Sequence, residues 1–109
     1  MTSKPVVPRD LANRDVDDVI AYYLGEDAVQ AALGFIDALE RAYAHIGRHP
    51  ATGSSRYAHE LNLPGLRCWS LRRYPHLVFY VELDDRIDVW RVLHGGRDIP
   101  AWMQESEMP

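Results

Sequence analysis

Cysteine is almost absent from this 109-residue chain: Cys68 stands alone, so no internal disulfide can form, and nothing in the composition calls for an oxidising compartment. Lysine is as scarce, with Lys4 the sole lysine among twelve basic side chains. No apolar run approaches the roughly 20 residues that span a bilayer. The opening Met1-Thr2-Ser3-Lys4-Pro5 is not followed by the apolar stretch of a secretory signal, so the expected location is the cytoplasm. Glycine-rich phosphate loops are missing too, since Gly95-Gly96 fits neither nucleotide-binding pattern, and Ser54 and Ser55 lack the setting of a catalytic nucleophile. The five histidines (His45, His49, His59, His76 and His94) offer one ligand-like spacing, His45 and His49 at i, i+4, with no third ligand beside it. No metal and no cofactor are expected.

What is present is an ordinary globular composition, 47% apolar and 26% charged. That suffices for one core in one domain over residues 1–109, with the folded part about 5–102 and a loose tail from 103 to 109. Net charge is −4, which argues against a chain that reads DNA sequence by itself. The charge is unevenly spread. Residues 1–40 carry eight acids and three bases, and residues 82–109 carry seven acids and three arginines. Between them, residues 41–81 carry six arginines and one acid, Glu60. Arginine forks grip carboxylates and phosphates at two points.

Periodicity divides the chain into a helical first half and an extended second half. Val6-Val7 between Pro5 and Pro8 reads as an edge strand. A helix is expected from near Asp10, with Asp10, Asn13 and Asp15 as possible caps, a face of Val16, Val19, Ile20 and Tyr23, and an end at Gly25. A longer helix should follow from near Asp27, its stripe formed by Val29, Ala32, Leu33, Ile36, Leu39, Tyr43 and Ile46, stopping at Gly47 and Pro50. After a loop over 51–57, four strands are expected at 60–63, 66–72, 76–83 and 86–93. Their links are too short for helical crossovers. The fold class is therefore α+β, a two-layer sandwich with an N-terminal helical hairpin packed on a mainly antiparallel sheet.

The candidate residues come from this layout. Arg67, Arg72 and Arg73 surround one strand and its turn, and Arg91 lies on the last strand. Together they suit an anionic partner, or else form a solvated face with ion pairs to Glu82 or Asp88. His94 sits where the last strand ends, with no nucleophile beside it, and fits either acid–base work or a bond to backbone. Asp98 is placed to cap a final turn containing Pro100. Trp102, next to the tail, is the aromatic best placed to meet a partner.

Several motifs then come together. They are the His49-Pro50-Ala51-Thr52-Gly53 loop, Gly65-Leu66-Arg67, Arg73-Tyr74-Pro75-His76-Leu77-Val78-Phe79-Tyr80, and the closing Trp90-Arg91-Val92-Leu93-His94-Gly95-Gly96-Arg97-Asp98-Ile99-Pro100. With the preceding helical hairpin, this pattern resembles the RelE/ParE superfamily of bacterial type II toxins, and within it the ParE branch of plasmid stabilisation proteins. The resemblance implies a toxin that inhibits DNA gyrase by binding, without chemistry of its own. It also implies a ParD-like antitoxin that neutralises it, in a heterotetramer or larger hetero-oligomer. Arg67, Arg72, Arg73, Arg91, Arg97 and Trp102 would then serve target and antitoxin contact. The RelE branch implies the alternative, a ribosome-dependent mRNA endoribonuclease, with His94 as base and Arg73 and Arg91 among the charge-stabilising groups. The gyrase-directed branch is favoured on chemistry. Where the nuclease branch carries a late tyrosine this chain has Trp102, whose indole cannot take a proton, and a ribosome nuclease would be basic overall.

Overall fold

The computed structural model describes residues 3–96 and 98–107. Pro5 and Pro8 bracket β1 (Val6–Pro8), which lies at one edge of a four-stranded sheet and pairs in parallel with β4 (Ile87–His94). A proline that cannot donate to a ladder is tolerated at such an edge. The other strands, β2 (Leu66–Ser70) and β3 (His76–Glu82), complete the order β1-β4-β3-β2. Both of their pairings, β2 with β3 and β3 with β4, are antiparallel. The mainly antiparallel α+β architecture is thus as expected, β1 is the edge strand expected at Val6-Val7, and the strand expected at 60–63 is not part of the sheet.

Helix α1 (Asp10–Gly25) and helix α2 (Val29–Arg48) form the hairpin. Asp27, at φ 55° in the left-handed region, cannot continue a right-handed helix, and α2 therefore starts two residues later than the sequence predicts. The hairpin packs on one sheet face around Ala12, Phe35, Leu39, Ile46, Val78, Tyr80, Val89 and Val92. The buried stripe of α2 is Ala32, Phe35, Ala38, Leu39, Ala42 and Ile46, rotated from the expected one. Val29 and Leu33 stay about half exposed. Small alanines on the inner face let the helix approach the sheet closely, and Phe35 fills the space that remains.

The opposite sheet face is also covered. Strand alternation sends Leu66, Cys68, Phe79 and Leu93 there, against α3 (Arg56–Leu61) and α4 (Ile99–Glu107) through Tyr57, Ile99 and Met103. Residues 60–63 are therefore not a strand. Glu60 and Leu61 end α3, and Asn62 at φ 53° stops it in the left-handed conformation that closes many helices. A 3-10 turn, Pro50–Thr52, precedes it, and Ser54 exchanges both backbone hydrogen bonds with Cys68, so part of the segment expected as loop is ordered on the β2 edge. Gly53 must be glycine, because a Cβ there would collide with the Tyr80 hydroxyl, which donates to the Pro50 carbonyl at 2.6 Å. A helix also stands where a loose tail was expected. Asp98 Oδ1 accepts from the Ala101 amide at 3.4 Å at its start, and Met103 is buried.

Tyr43 carries a stability cost inside this frame. Its hydroxyl is buried and finds no hydrogen-bond partner among the described residues. Burial, helped by the negative charge of Asp15, pushes its phenol up to about 12 from 10.0. Since the folded pKa exceeds the unfolded one, the neutral phenol's contribution is complete below pH 10 and is lost as pH rises through about 12. Tyr43→Phe should leave stability unchanged or raise it by about 1 kcal/mol at neutral pH, because a desolvated hydroxyl is removed. It should also flatten the alkaline limb of a urea-denaturation series between those two pH values. A variant that is less stable at neutral pH would show that the hydroxyl is bonded.

Candidate partner-binding site

Five arginines of the middle segment carry no carboxylate partner among the described residues; Arg48 ends α2, and Arg56, Arg67, Arg72 and Arg73 lie on β2 or on the elements flanking it. Arg67 points from β2 toward the hairpin side and donates from Nη1 to the Gly53 carbonyl at 2.8 Å. Its charge partly offsets the upward push that burial gives the neighbouring Tyr80 phenol. One step along the same face, Trp69 stacks on His45 with ring centroids 4.0 Å apart. His45 Nε2 lies 2.8 Å from Thr52 Oγ1, and the His49 ring is 5.3 Å away. Partial burial, then His49 and Arg48, hold the His45 imidazole below its usual pKa. Arg56 lies over the Tyr57 ring at 4.9 Å.

At the far end of β2, Arg72 and Arg73 form the exposed tip of the β2–β3 turn. Arg73 has φ 70°, a conformation that costs a side chain with a Cβ about 1–2 kcal/mol. The tip is held from both sides. The Leu71 amide bonds the His76 carbonyl at 2.9 Å. The Tyr74 hydroxyl donates to the Ala31 carbonyl at 2.8 Å while its ring packs edge-on to Phe35 and Tyr23. Among the described residues, none of Arg48, Arg56, Arg67, Arg72 and Arg73 makes an ion pair. Glu82 and Asp88, which the alternative reading pairs with Arg67, Arg72, Arg73 or Arg91, bind Lys4 and Arg9 instead. Arg41 is the one arginine of residues 41–81 that is paired, to Asp37.

Arg91 does not belong to this surface. It is only 2% exposed, and its Nε and Nη2 donate to the two carboxylate oxygens of Asp15 at 2.8 and 2.7 Å. Asp15 Oδ2 also accepts from the Val92 amide at 3.0 Å, and Arg91 Nη1 donates to the Trp102 carbonyl at 2.9 Å. Unbroken alternation would put Arg91 on the face of Ile87 and Val89, beneath the helical hairpin. The register shift between Phe79 and Tyr80 opposes Trp90 to no residue of β3 and re-aims Arg91. Asp15, a possible cap by sequence, is the residue that sequence reasoning misses. Its signal is its spacing, three residues after Ala12 and four before Val19, on the buried face of α1. Trp102 is half-buried, in helix α4 beneath the Arg91 guanidinium at 5.6 Å, and is not part of a loose tail. Arg97 lies outside the described residues.

His94 is exposed at the mouth of a cleft of about 350 Å³ between α1, α4 and the adjoining ends of β3 and β4. Its Nδ1 accepts the Gly96 amide at 2.9 Å, which fixes the neutral ring with its proton on Nε2. In that tautomer neither nitrogen is an open base toward a substrate. His76, buried below it, meets the His94 ring edge-on at 5.4 Å. No group of three or more metal-ligating side chains occurs among the described residues, nor is any helix among them long and apolar enough to cross a membrane.

Two comparisons bear on this geometry. The sequence profile of the family described as the ParE toxin of type II toxin-antitoxin system, parDE, matches residues 6–99. A solved structure titled "Chromosomal ParDE TA system from P. aeruginosa" superposes with a TM-score of 0.69 at 16% sequence identity, covering 84% of this chain and 96% of its own. No curated protein matches the sequence at a significant level.

The buried pair and the fixed tautomer each have a measurable consequence. Asp15→Asn leaves Arg91 buried without its counter-charge and should cost about 3–5 kcal/mol in urea denaturation, whereas the double change Asp15→Leu with Arg91→Met should recover most of that loss. Nitrogen-15 NMR of the neutral His94 ring should show the Nε2–H tautomer. An Nδ1–H form would mean that the Gly96 contact is not made in solution.

Proposed function

The chain belongs to the ParE toxin family of type II toxin-antitoxin systems, and on that premise we propose that it inhibits DNA gyrase by binding and is silenced by a ParD-like antitoxin. The carrying observation is the division of its arginines. Arg67, Arg72 and Arg73 present positive charge on one sheet margin without a counter-charge among the described residues, while Arg91 commits its fork to Asp15. A surface of such guanidinium groups suits acids from a partner, each well-paired desolvated contact contributing on the order of 2 kcal/mol or more. Cleavage of RNA would need a base, an acid and positive charge around one phosphorane. Of the groups assigned to that task, Arg91 is buried in an ion pair and His94 has Nδ1 engaged by Gly96. Gripping is therefore the better-supported use of this surface.

The antitoxin reading draws on the same surface. A ParD-like partner would cover the β2 margin with its own acids, in a heterotetramer or larger hetero-oligomer. Purified chain added to gyrase and supercoiled DNA should trap cleaved DNA on the enzyme. Arg72→Glu with Arg73→Glu should lower that activity at least roughly thirtyfold, the equivalent of one lost charge contact of about 2 kcal/mol, while His94→Gln should leave it largely intact. Message cleaved on ribosomes, with gyrase untouched and the cleavage abolished by His94→Gln, would instead assign the chain to the endoribonuclease branch.

A further inference from the structure

The cleft beside α1, at the same end of the sheet as the β2–β3 turn, has a chemistry opposite to that of the β2 margin. Its walls hold the aromatic rings of Tyr22, Tyr23, His76, His94 and Trp102, and two carboxylates. The Asp15 carboxylate is already matched by Arg91, but Asp18, one turn further along α1, makes no ion pair among the described residues. No lysine or arginine among the described residues lines the cleft. Tyr22 stands 64% exposed at the mouth, edge-on to Tyr23 at 5.6 Å, so the aromatic wall extends outward to where an incoming group would enter. The volume, about 350 Å³, is at the small end of ligand-binding pockets.

Aromatic faces around a single open carboxylate attract a cation. The ring quadrupoles and the charge of Asp18 act in the same direction, and the half-enclosed walls limit screening by solvent. We propose that this cleft is a socket for an arginine side chain carried by a protein partner of the toxin. The guanidinium would lie against the Tyr22 and Trp102 rings with Asp18 accepting its hydrogen bonds, since a planar, weakly hydrated cation suits an aromatic slot better than a compact ammonium. The position adds a constraint on the partner. Pro75, in the cleft wall, lies two residues beyond Arg73. A single extended segment could thus set an acid on the Arg72–Arg73 tip and an arginine in the socket. The proposal rests on the toxin reading only in taking the partner to be a protein, and the socket itself can be tested without gyrase or antitoxin.

The test is an NMR titration of the full chain with N-acetyl-arginine amide and, in parallel, with the neutral isostere N-acetyl-citrulline amide, following the Trp102 indole resonance assigned through Trp102→Phe. The arginine compound should produce a saturable shift at Trp102 and His94, the citrulline compound should bind about tenfold more weakly or less, and Asp18→Asn should weaken the arginine compound by a similar factor. Thermal unfolding of Asp18→Asn should match that of the parent chain, since Asp18 is exposed. Equal binding of both compounds, shifts that map away from the cleft, no saturable shift, or an Asp18→Asn variant that binds unchanged would each overturn the assignment. Tighter binding of spermidine than of the arginine compound would overturn it in favour of a free polyamine.

Discussion

The buried pair of Asp15 and Arg91 holds together elements that have little else in common. β1 pairs with β4 only from Ile87 to Val89, so beyond Val89 the outer edge of β4 has no neighbouring strand among the described residues. Asp15 takes that neighbour's place by accepting the Val92 amide while clamping the Arg91 fork at two points. The same guanidinium reaches the Trp102 carbonyl and so ties down α4. One carboxylate thus joins α1, β4 and α4. Two charges removed from water are tolerable here because all three guanidinium nitrogens donate and both carboxylate oxygens accept. An apolar substitute would pack as densely but would not select this docking of three elements over a slid one.

That structural commitment shapes what the protein can do. Arg91, the arginine of the last strand, is withdrawn into the core. The surplus lies elsewhere, on β2 and at its turn, where Arg67, Arg72 and Arg73 find no acid among the described residues. Glu82 and Asp88 cannot neutralise this surplus, because Lys4 and Arg9 engage them at the opposite edge. Charge is thereby separated across the sheet, an arrangement that favours oriented encounter with an acidic surface even though the net charge is negative. The acidic, aromatic cleft beside α1 continues the pattern with the sign reversed.

Much of the fold is legible in advance because it rests on local patterning. The prolines around Val6-Val7 mark an edge strand, the alternating periodicity from Leu66 onward marks the sheet, and Pro64-Gly65 and Asp84-Asp85 mark turns. Local signals mislead where a tertiary neighbour overrides them. Residues 60–63 alternate like a strand, yet Ala58 and Leu61 bury in the second core as parts of a helix. Val29 and Leu33 fit a helical stripe, but the sheet faces the side bearing Phe35 and Ala38. Of the candidate site, Arg67, Arg72 and Arg73 are legible as a cluster near one strand. The fate of Arg91 is not, because a bulge shifts alternation without any mark in composition.

Residue order and counting alone establish the class of the fold, its family, and a segment so rich in arginine and poor in acid that it cannot neutralise itself. Which guanidinium groups remain available is settled only once the chain has folded, because pairing depends on distance between residues 76 positions apart, as for Asp15 and Arg91. The same holds for the occupied Nδ1 of His94 and for the acidic aromatic cleft, whose walls come from α1, β3, β4 and α4 and meet nowhere in the unfolded chain.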